Sequence, residues 1–494
     1  MNNEGKAGFK KIVPFIFLVA AAGLLTTGCQ TYKDQNKVIA YWHQGDLTNA
    51  VAEATKEADK HAGGKDAIVW RLEQGAVLRA NGQYADSNKA FNQAEGDIDD
   101  YAQKAKVRVG QEAGALLSNQ ANLDYEGRSY DGIMLDTYKA LNYLALGEPA
   151  KARPEIIRAY QRQQDAVEAN KRHIEKVQEE AEKSKDSQKM QDSEQNPRFQ
   201  SELESCMTNI NDIQVYADYV NPFTIYLDGL YFMVNAADSS DLERARKSLE
   251  RVASVVPDNQ YVQEDLASIN GLINHATPMP PTTYVIFETG CAPVRGQKRI
   301  DIPIVVSKVS YVGAAFPIIQ PQGDFQPELT VTANGTHYNT ELVADMDSIV
   351  VRDYKNELPV VITKTIAATV AKAAAAYAAN DAARQQGDLA GLFMQIATAA
   401  YQMAVNIADT RTWTTLPKEF QICRFPTPAD GRIELSTPNG MRTDVTLNIR
   451  PGEAKIDLTS DSSQATVISG SQINVVYVKS ITASTPLLIS QFKM

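Results

Sequence analysis

The chain has 494 residues, of which 44% are hydrophobic and 22% charged. That is enough apolar material for a normal core and, at about 100–200 residues per domain, too long for a single one. The net charge of −11 argues against nucleic acid as a partner, because phosphate-backbone affinity rests on clustered Lys and Arg, and against electrostatic adhesion to anionic lipid.

The N-terminus carries the basic pair Lys10-Lys11, an apolar run from Ile12 to Leu25, and then Thr26-Thr27-Gly28-Cys29. The run is short for a membrane-spanning helix and contains Pro14. A small residue followed directly by cysteine resembles the lipobox of bacterial lipoproteins. The resemblance implies that residues 1–28 are a cleaved signal peptide and that Cys29 is lipidated, so that acyl chains such as palmitate hold the protein on a membrane. One position departs from the family pattern: Thr26 stands where a leucine is usual, with Leu25 one place earlier. The alternative is an ordinary secretory signal in which Cys29 is incidental. Cleavage removes Lys6, Lys10, Lys11 and Glu4 and takes the net charge from −11 to −13.

Residues 29–276 are rich in Ala, Gln, Glu and Leu and carry a degenerate internal repeat. Gly45-Asp46-Leu47 is followed by Ala50 and Ala54; Gly82-Gln83-Tyr84 by Ser87, Phe91 and Ala94; Gly147-Glu148-Pro149 by Ala152, Ile156 and Ala159; and Ser240-Asp241-Leu242 by Ala245, Leu249 and Val252. Gly75 and Leu78 precede the second copy, and Ala140 and Tyr143 the third. The pattern resembles the tetratricopeptide repeat. The resemblance implies antiparallel helical hairpins in which glycine opens the turn. A small residue, here Ala50, Ser87, Ala152 or Ala245, lets the helices cross closely, and bulky residues such as Tyr84 and Phe91 fill the space between hairpins.

Residues 160–200 interrupt the array with a polar, helix-favouring stretch. Val167, Ile174 and Ala181 lie on one heptad line, with Val177 adding a second position, and Asn196-Pro197 marks a return. The stretch reads as a charged helical arm: either a solvated helix or a coiled coil for a partner.

Thr277-Pro278-Met279-Pro280-Pro281 opens a Pro-rich linker over residues 277–283, after which Val, Ile and Thr rise. Residues 284–494 are expected to form an α+β domain. Strand-like runs cover Thr283 to Glu288, Ile300 to Val306 and Val309 to Ile319. Asn334-Gly335, between Leu329–Ala333 and Thr336–Val343, predicts a type I′ hairpin. Further strands are expected at Ile433 to Leu435, Val445 to Ile449, Ala454 to Leu458 and Ile473 to Val478, in an antiparallel sheet with one wet face. Two Ala-rich helices, about Leu358 to Ala383 and Asp388 to Asp409, interrupt them. The fold class expected is an all-α tetratricopeptide-like array followed by an α+β domain with an antiparallel sheet and an Ala-rich helical pair.

Export permits disulfides, and Cys291 with Cys423, both in the β-rich part, is the expected pair; Cys206 is the odd one out. No His pair, nucleophile elbow or phosphate loop is present, so no catalytic residue, metal or cofactor is expected. Glu288, beside Gly290-Cys291, has an unusual setting that a strand end explains. Cys291 is a nucleophile only if a histidine lies beside it. In Ala408–Pro417, Trp413 is expected to plug the corner between helix and strand, pinned by Asp409 and Arg411.

Residues 29 to about 275, together with the lipobox, resemble tetratricopeptide-like outer-membrane lipoproteins of bacteria. The resemblance implies a non-enzymatic, lipid-anchored scaffold facing the periplasm, binding a protein or peptide in its helical domain and serving cell-wall or envelope assembly. Gln30 after Cys29, rather than Asp, implies the outer membrane in a Gram-negative host. The alternatives are an envelope hydrolase with its site in the C-terminal domain, or a membrane-perturbing protein using the helical pair at 358–408.

Overall fold

A computed structural model describes residues 37–107, 123–184, 186–217, 220–275, 277–306, 309–384, 408–448 and 473–494. The signal segment with Cys29, the strand expected at 454–458 and nearly all of the second Ala-rich helix lie outside these residues.

The N-terminal part is helical. A helix through residues 37–43 (α1) precedes α2 (Leu47–Lys60), α3 (Ala67–Ala80), α4 (Tyr84–Val107), α5 (Ser129–Ala145) and α6 (Pro149–Glu182). Then come α7 (Ser187–Glu194), α8 (Pro197–Met207), α9 (Pro222–Val234), α10 (Ser239–Val255) and α11 (Gln260–His275). Successive helices pack as hairpins: α3 on α4, α5 on α6 and α9 on α10.

Three of the hairpin turns share one backbone solution. Gly45, Gly82 and Gly147 hold φ of 71°, 75° and 73°. Each donates its N–H to the carbonyl three residues back, and the next residue donates to the carbonyl five back: Asp46 to Tyr41, Gln83 to Leu78, Glu148 to Tyr143. This is the double hydrogen bond of a left-handed helix C-terminus, a conformation glycine adopts without steric cost. The fourth turn has no glycine; there Asp238 caps α10, accepting from the N–H groups of Ser240 and Asp241.

The small residues at the crossings, Ala50, Ser87, Ala152 and Ala245, are all fully buried, as are Phe91, Ile156 and Leu249. A Cβ at Gly75 would lie 2.4 Å from the ring of Phe91, and one at Gly229 would lie 2.8 Å from Leu249. Both glycines are therefore required by the closeness of helix packing, not by backbone conformation.

The C-terminal part is built on a five-stranded sheet in the order β11-β10-β1-β7-β6: β1 (Thr282–Thr289), β6 (Glu341–Asp345), β7 (Glu419–Pro426), β10 (Ile473–Ser480) and β11 (Leu488–Lys493). The expected sheet was antiparallel; the central β1–β10 pair is parallel. Nor does this sheet have a wet face, since every residue of β1 and β10 is buried; the expected antiparallel pairing with one exposed face is met instead at Arg432–Ser436 and Arg442–Thr446, in a second sheet. One face carries Tyr284, Glu288, Phe420 and Arg424 onto the helical array, where Phe420 stacks on Phe223 with ring centroids 3.9 Å apart. The other face meets a four-stranded sheet, β5-β4-β8-β9, made of β4 (Thr330–Ala333), β5 (Thr336–Asn339), β8 (Arg432–Ser436) and β9 (Arg442–Thr446). Tyr338 stacks on Phe425 across that contact. A strand covered on both faces reads as a continuous apolar run, as Tyr284–Phe287 does. The predicted hairpin turn forms between β4 and β5, with Asn334 at φ 51° and Gly335 at 77°.

The composition change at 277 marks a change of architecture, but the buried apolar side chains of the two parts form one continuous core. The linker is also shorter than expected: Thr282 and Thr283 are buried in β1 and hydrogen-bonded to its neighbours.

The charged arm does not stand free. β2 (Val294–Val306) and β3 (Val309–Gln320) form a separate two-stranded ribbon that runs against α12 (Met346–Arg384) and the α7–α8 segment. Phe199 of α8 packs on Phe316 of β3, Ser193 donates to the Pro303 carbonyl at 2.6 Å, and Glu202 accepts the Asp301 N–H at 3.1 Å. A two-stranded ribbon is marginal alone, and these helices cover it. On α6, Val177 is buried while Val167 is 45% exposed. The first Ala-rich helix starts earlier than predicted, at Met346, and runs through Pro359.

Cys206, Cys291 and Cys423 are all buried and unpaired. The expected Cys291–Cys423 disulfide is excluded by register: Cys423 sits opposite Val285, in the middle of the β1–β7 ladder, whereas Cys291 lies beyond its end at Thr289. At about 3.3 Å per residue the separation far exceeds the reach of a disulfide.

Candidate binding site at the helix–sheet seam

The sequence motifs converge where the array meets the sheet. Residues 408–417 form no helix or strand, turn at 414–416, and lie against the helices as a strap. Trp413, 1% exposed, completes an aromatic cluster with Phe91 and Tyr138: its centroid lies 5.7 and 5.8 Å from theirs, and those two rings stack on each other at 6.2 Å. Glu73 of α3 accepts from the Thr414 N–H at 2.6 Å, the Thr414 hydroxyl at 2.5 Å and the Thr415 hydroxyl at 2.7 Å. Arg411 donates from Nε and Nη2 to Asp409, both at 2.8 Å, and from Nη1 to Asp66 and the Leu123 carbonyl. The expected Asp409–Arg411 clamp is present, and Trp413 plugs the helical array itself. Complete burial pushes the Glu73 carboxyl up to about 7 despite these donors.

Beside the strap, buried charge crosses the seam. Glu288 of β1 accepts from Tyr138 of α5 at 2.9 Å, and from Tyr477 and Lys479 of β10. Glu288 lies opposite Lys479 in the parallel ladder, so β-sheet register creates this pair. Lys479, then Arg79, hold the Glu288 carboxyl below its ordinary range against the opposing effect of burial. Arg79 donates to Asn142 at 2.7 Å, and its guanidinium lies 4.7 Å from the centroid of Tyr477 and 5.1 Å from that of Tyr138. Asn142 in turn donates to Ser87, which donates to the Gly75 carbonyl at 2.7 Å. The repeat's small residue Ser87 is thus also the anchor of this network.

The network floors a cavity of about 360 Å³ bounded by Ala76, Arg79 and Ala80 of α3, the Gly82 turn, Tyr84, and Leu488 to Ser490 of β11. Its charged lining is two cations, Arg79 and Lys479, and one carboxylate, Glu288. Burial and the Glu288 charge raise the Tyr138 and Tyr477 phenols well above their ordinary value, so both stay protonated and keep donating to Glu288. The two cations suit an anion.

Two other constellations were legible or nearly so. His43 Nε2 lies 3.6 Å from Cys291 Sγ, the proximity a thiol nucleophile requires. Burial pushes that thiol up to about 11 and lowers the His43 imidazole. Both shifts disfavour a thiolate–imidazolium pair. Glu95, Asp136 and Glu155 converge closely enough to hold a cation. Lys139 and Arg158, however, lie within 3.0 Å of Glu95 and Glu155, and Arg162 donates to Asp136 at 2.7 Å, so three positive side chains already match the three carboxylates.

Of the predicted residues, Gly82, Tyr84 and Phe91 fall at the seam, and Gly45 also meets the C-terminal part, at Thr485 and Pro486; Ala50, Gly147, Ala152 and Ala245 belong to the turns and crossings of the array. Arg79, Tyr138, Asn142, Tyr477 and Lys479 were not singled out, and only their burial in an otherwise apolar setting distinguishes them. Comparison with protein-family models, with curated proteins and with solved structures yields no match. Among the described residues, no helix is long and apolar enough to cross a membrane.

Proposed function

We propose that the protein is a non-enzymatic scaffold of the cell envelope, exported and held on the periplasmic side of an outer membrane through lipid on Cys29. Its helical part is a tetratricopeptide-like array, and its work is to hold a segment of a partner protein in cell-wall or envelope assembly. The lipobox resemblance at Gly28-Cys29 supports the anchor. The repeated glycine turns and small crossing residues support the repeat class.

The observation that carries the binding role is how the array treats residues 408–417. It grips this strap with a buried carboxylate for backbone and hydroxyl donors, aromatic partners for Trp413, and main-chain acceptors for Arg411. These are the contacts by which a helical groove holds a peptide. In this chain the strap fills that part of the seam, so a partner must enter at the open cavity beside it. Crosslinking in living cells tests the proposal: a discrete envelope protein captured by the native chain and lost with Cys29→Ser is the expected result. Good expression of both forms with no captured protein would overturn it.

The hydrolase reading has the Cys291–His43 contact as its nearest support, and the raised thiol with the lowered imidazole weighs against it. For the membrane-perturbing reading, the described part of α12 weighs against rearrangement: Val361, Ile366, Val370 and Ala373 are each at most 1% exposed.

A further inference from the structure

We propose that the cavity at Arg79 binds a carboxylate carried on a short apolar stem. The reasoning starts from charge. Two cations and one carboxylate line the cavity, which leaves one positive charge without a partner. Arg79 is 8% exposed and Lys479 8%, and an uncompensated charge is costly in so dry a setting. Elsewhere at this seam the fold does not accept that cost: Arg411 is matched by Asp409 and Asp66, and Arg424 by Asp265.

The excess is a single unit, which a monoanion neutralises and a phosphate dianion would overshoot. Arg79 is also held in place before any ligand arrives, by Asn142 on one side and by the faces of Tyr138 and Tyr477. A guanidinium fixed in this way loses little freedom when a flat carboxylate docks on it. The size, about 360 Å³, falls at the small end of ligand sites. Ala76, Ala80, Leu487, Leu488 and Ile489 supply apolar walls between the charged floor and the mouth, so the stem that carries the carboxylate should be aliphatic.

Two sources present this chemistry: the carboxyl terminus of a protein ending in an aliphatic residue, and a free short branched acid. The first deepens the scaffold reading, since it names what a partner offers; the second stands without it. The test uses the full chain in detergent, titrated with the tripeptide Ala-Leu-Leu as free acid, the same tripeptide as C-terminal amide, and 3-methylbutanoate, with binding read by calorimetry. The free acid should bind at least ten-fold more tightly than the amide. Arg79→Gln should abolish that discrimination. Ser490→Trp, a substitution at the cavity wall that removes no charged group, should block the acid while preserving the thermal midpoint. Tighter binding of the tripeptide acid than of 3-methylbutanoate identifies a chain terminus, and the reverse a free acid. Equal binding of acid and amide, no binding of any probe, or full discrimination retained in Arg79→Gln would overturn the assignment. Failure of cellular crosslinking alongside intact acid binding would remove the scaffold reading alone.

Discussion

The hairpin turns of the helical array and the seam between array and sheet are both tightly packed, yet they are held by different forces. At Gly45, Gly82 and Gly147 each turn is closed by hydrogen bonds within six residues of chain. At the seam, the contacts that join array to sheet link residues far apart: Glu73 with Thr414, Tyr138 with Glu288, Phe223 with Phe420, Asp265 with Arg424. The turns are local devices that can be damaged one at a time. The seam carries buried charge and large aromatics together, so removing one member leaves partners that nothing else satisfies.

That contrast sets the size of the expected effects. Trp413→Ala should be the most damaging change, costing about 3–5 kcal/mol, because it removes the ring that packs on Phe91 and Tyr138. Urea unfolding followed separately by helical circular dichroism and by tyrosine fluorescence should show both parts losing stability in one transition. Two separated transitions would show that the shared core does not couple them.

A smaller effect is expected with pH. Folding raises the Glu73 carboxyl from 4.5 to about 7. Between those values the folded state holds more protons than the unfolded chain, so this group's contribution to stability falls as pH rises through the window. Asp131, Asp347 and Asp353, each raised to about 6, act in the same direction. Glu357, held down to about 2 by Arg128 and then Arg295, acts oppositely and loses its contribution only below 4.5. The urea midpoint should therefore be lower at pH 8 than at pH 5. Glu73→Gln should shrink that difference without removing it; an unchanged difference would mean that Glu73 is not the titrating group.

Two glycines separate packing from conformation within the array itself. Gly75→Ala should cost about 1–3 kcal/mol, since its Cβ meets Phe91 at 2.4 Å, and Phe91→Leu in the same chain should recover part of it. Gly82→Ala meets no atom within 4 Å and should cost about 1 kcal/mol, for the left-handed φ alone; Phe91→Leu should give it no rescue. At the bottom of the scale, Lys183→Ala breaks an exposed pair with Glu179 and should leave the thermal midpoint unmoved.

Legibility followed the same division. The helical part, the hairpin at Asn334-Gly335, the strand runs within β2 and β3 and the small crossing residues could be read from spacing, because each depends on residues close in sequence. The expected disulfide failed because two cysteines in one β-rich region say nothing about register. The wet sheet face failed because alternation in the outer strands was extended to a central sheet covered on both sides. The arm's return at Asn196-Pro197 was visible, since Asn196 caps α8, but the ribbon that covers it was not.

What the sequence determined by itself is the set of local choices: where helices end, where chains turn, which residues are small enough for close crossing, and a lipobox-like segment at the N-terminus. These follow from φ preference, side-chain volume and periodicity, which act over a few residues. Only the tertiary structure decided that Glu288 faces Lys479, that Arg79 stands with an unmatched charge beside an open cavity, and that Trp413 lodges in the array more than 250 residues away in sequence from its partners. Those arrangements depend on strand register and on which faces are buried against each other, and neither is encoded within any short stretch of chain.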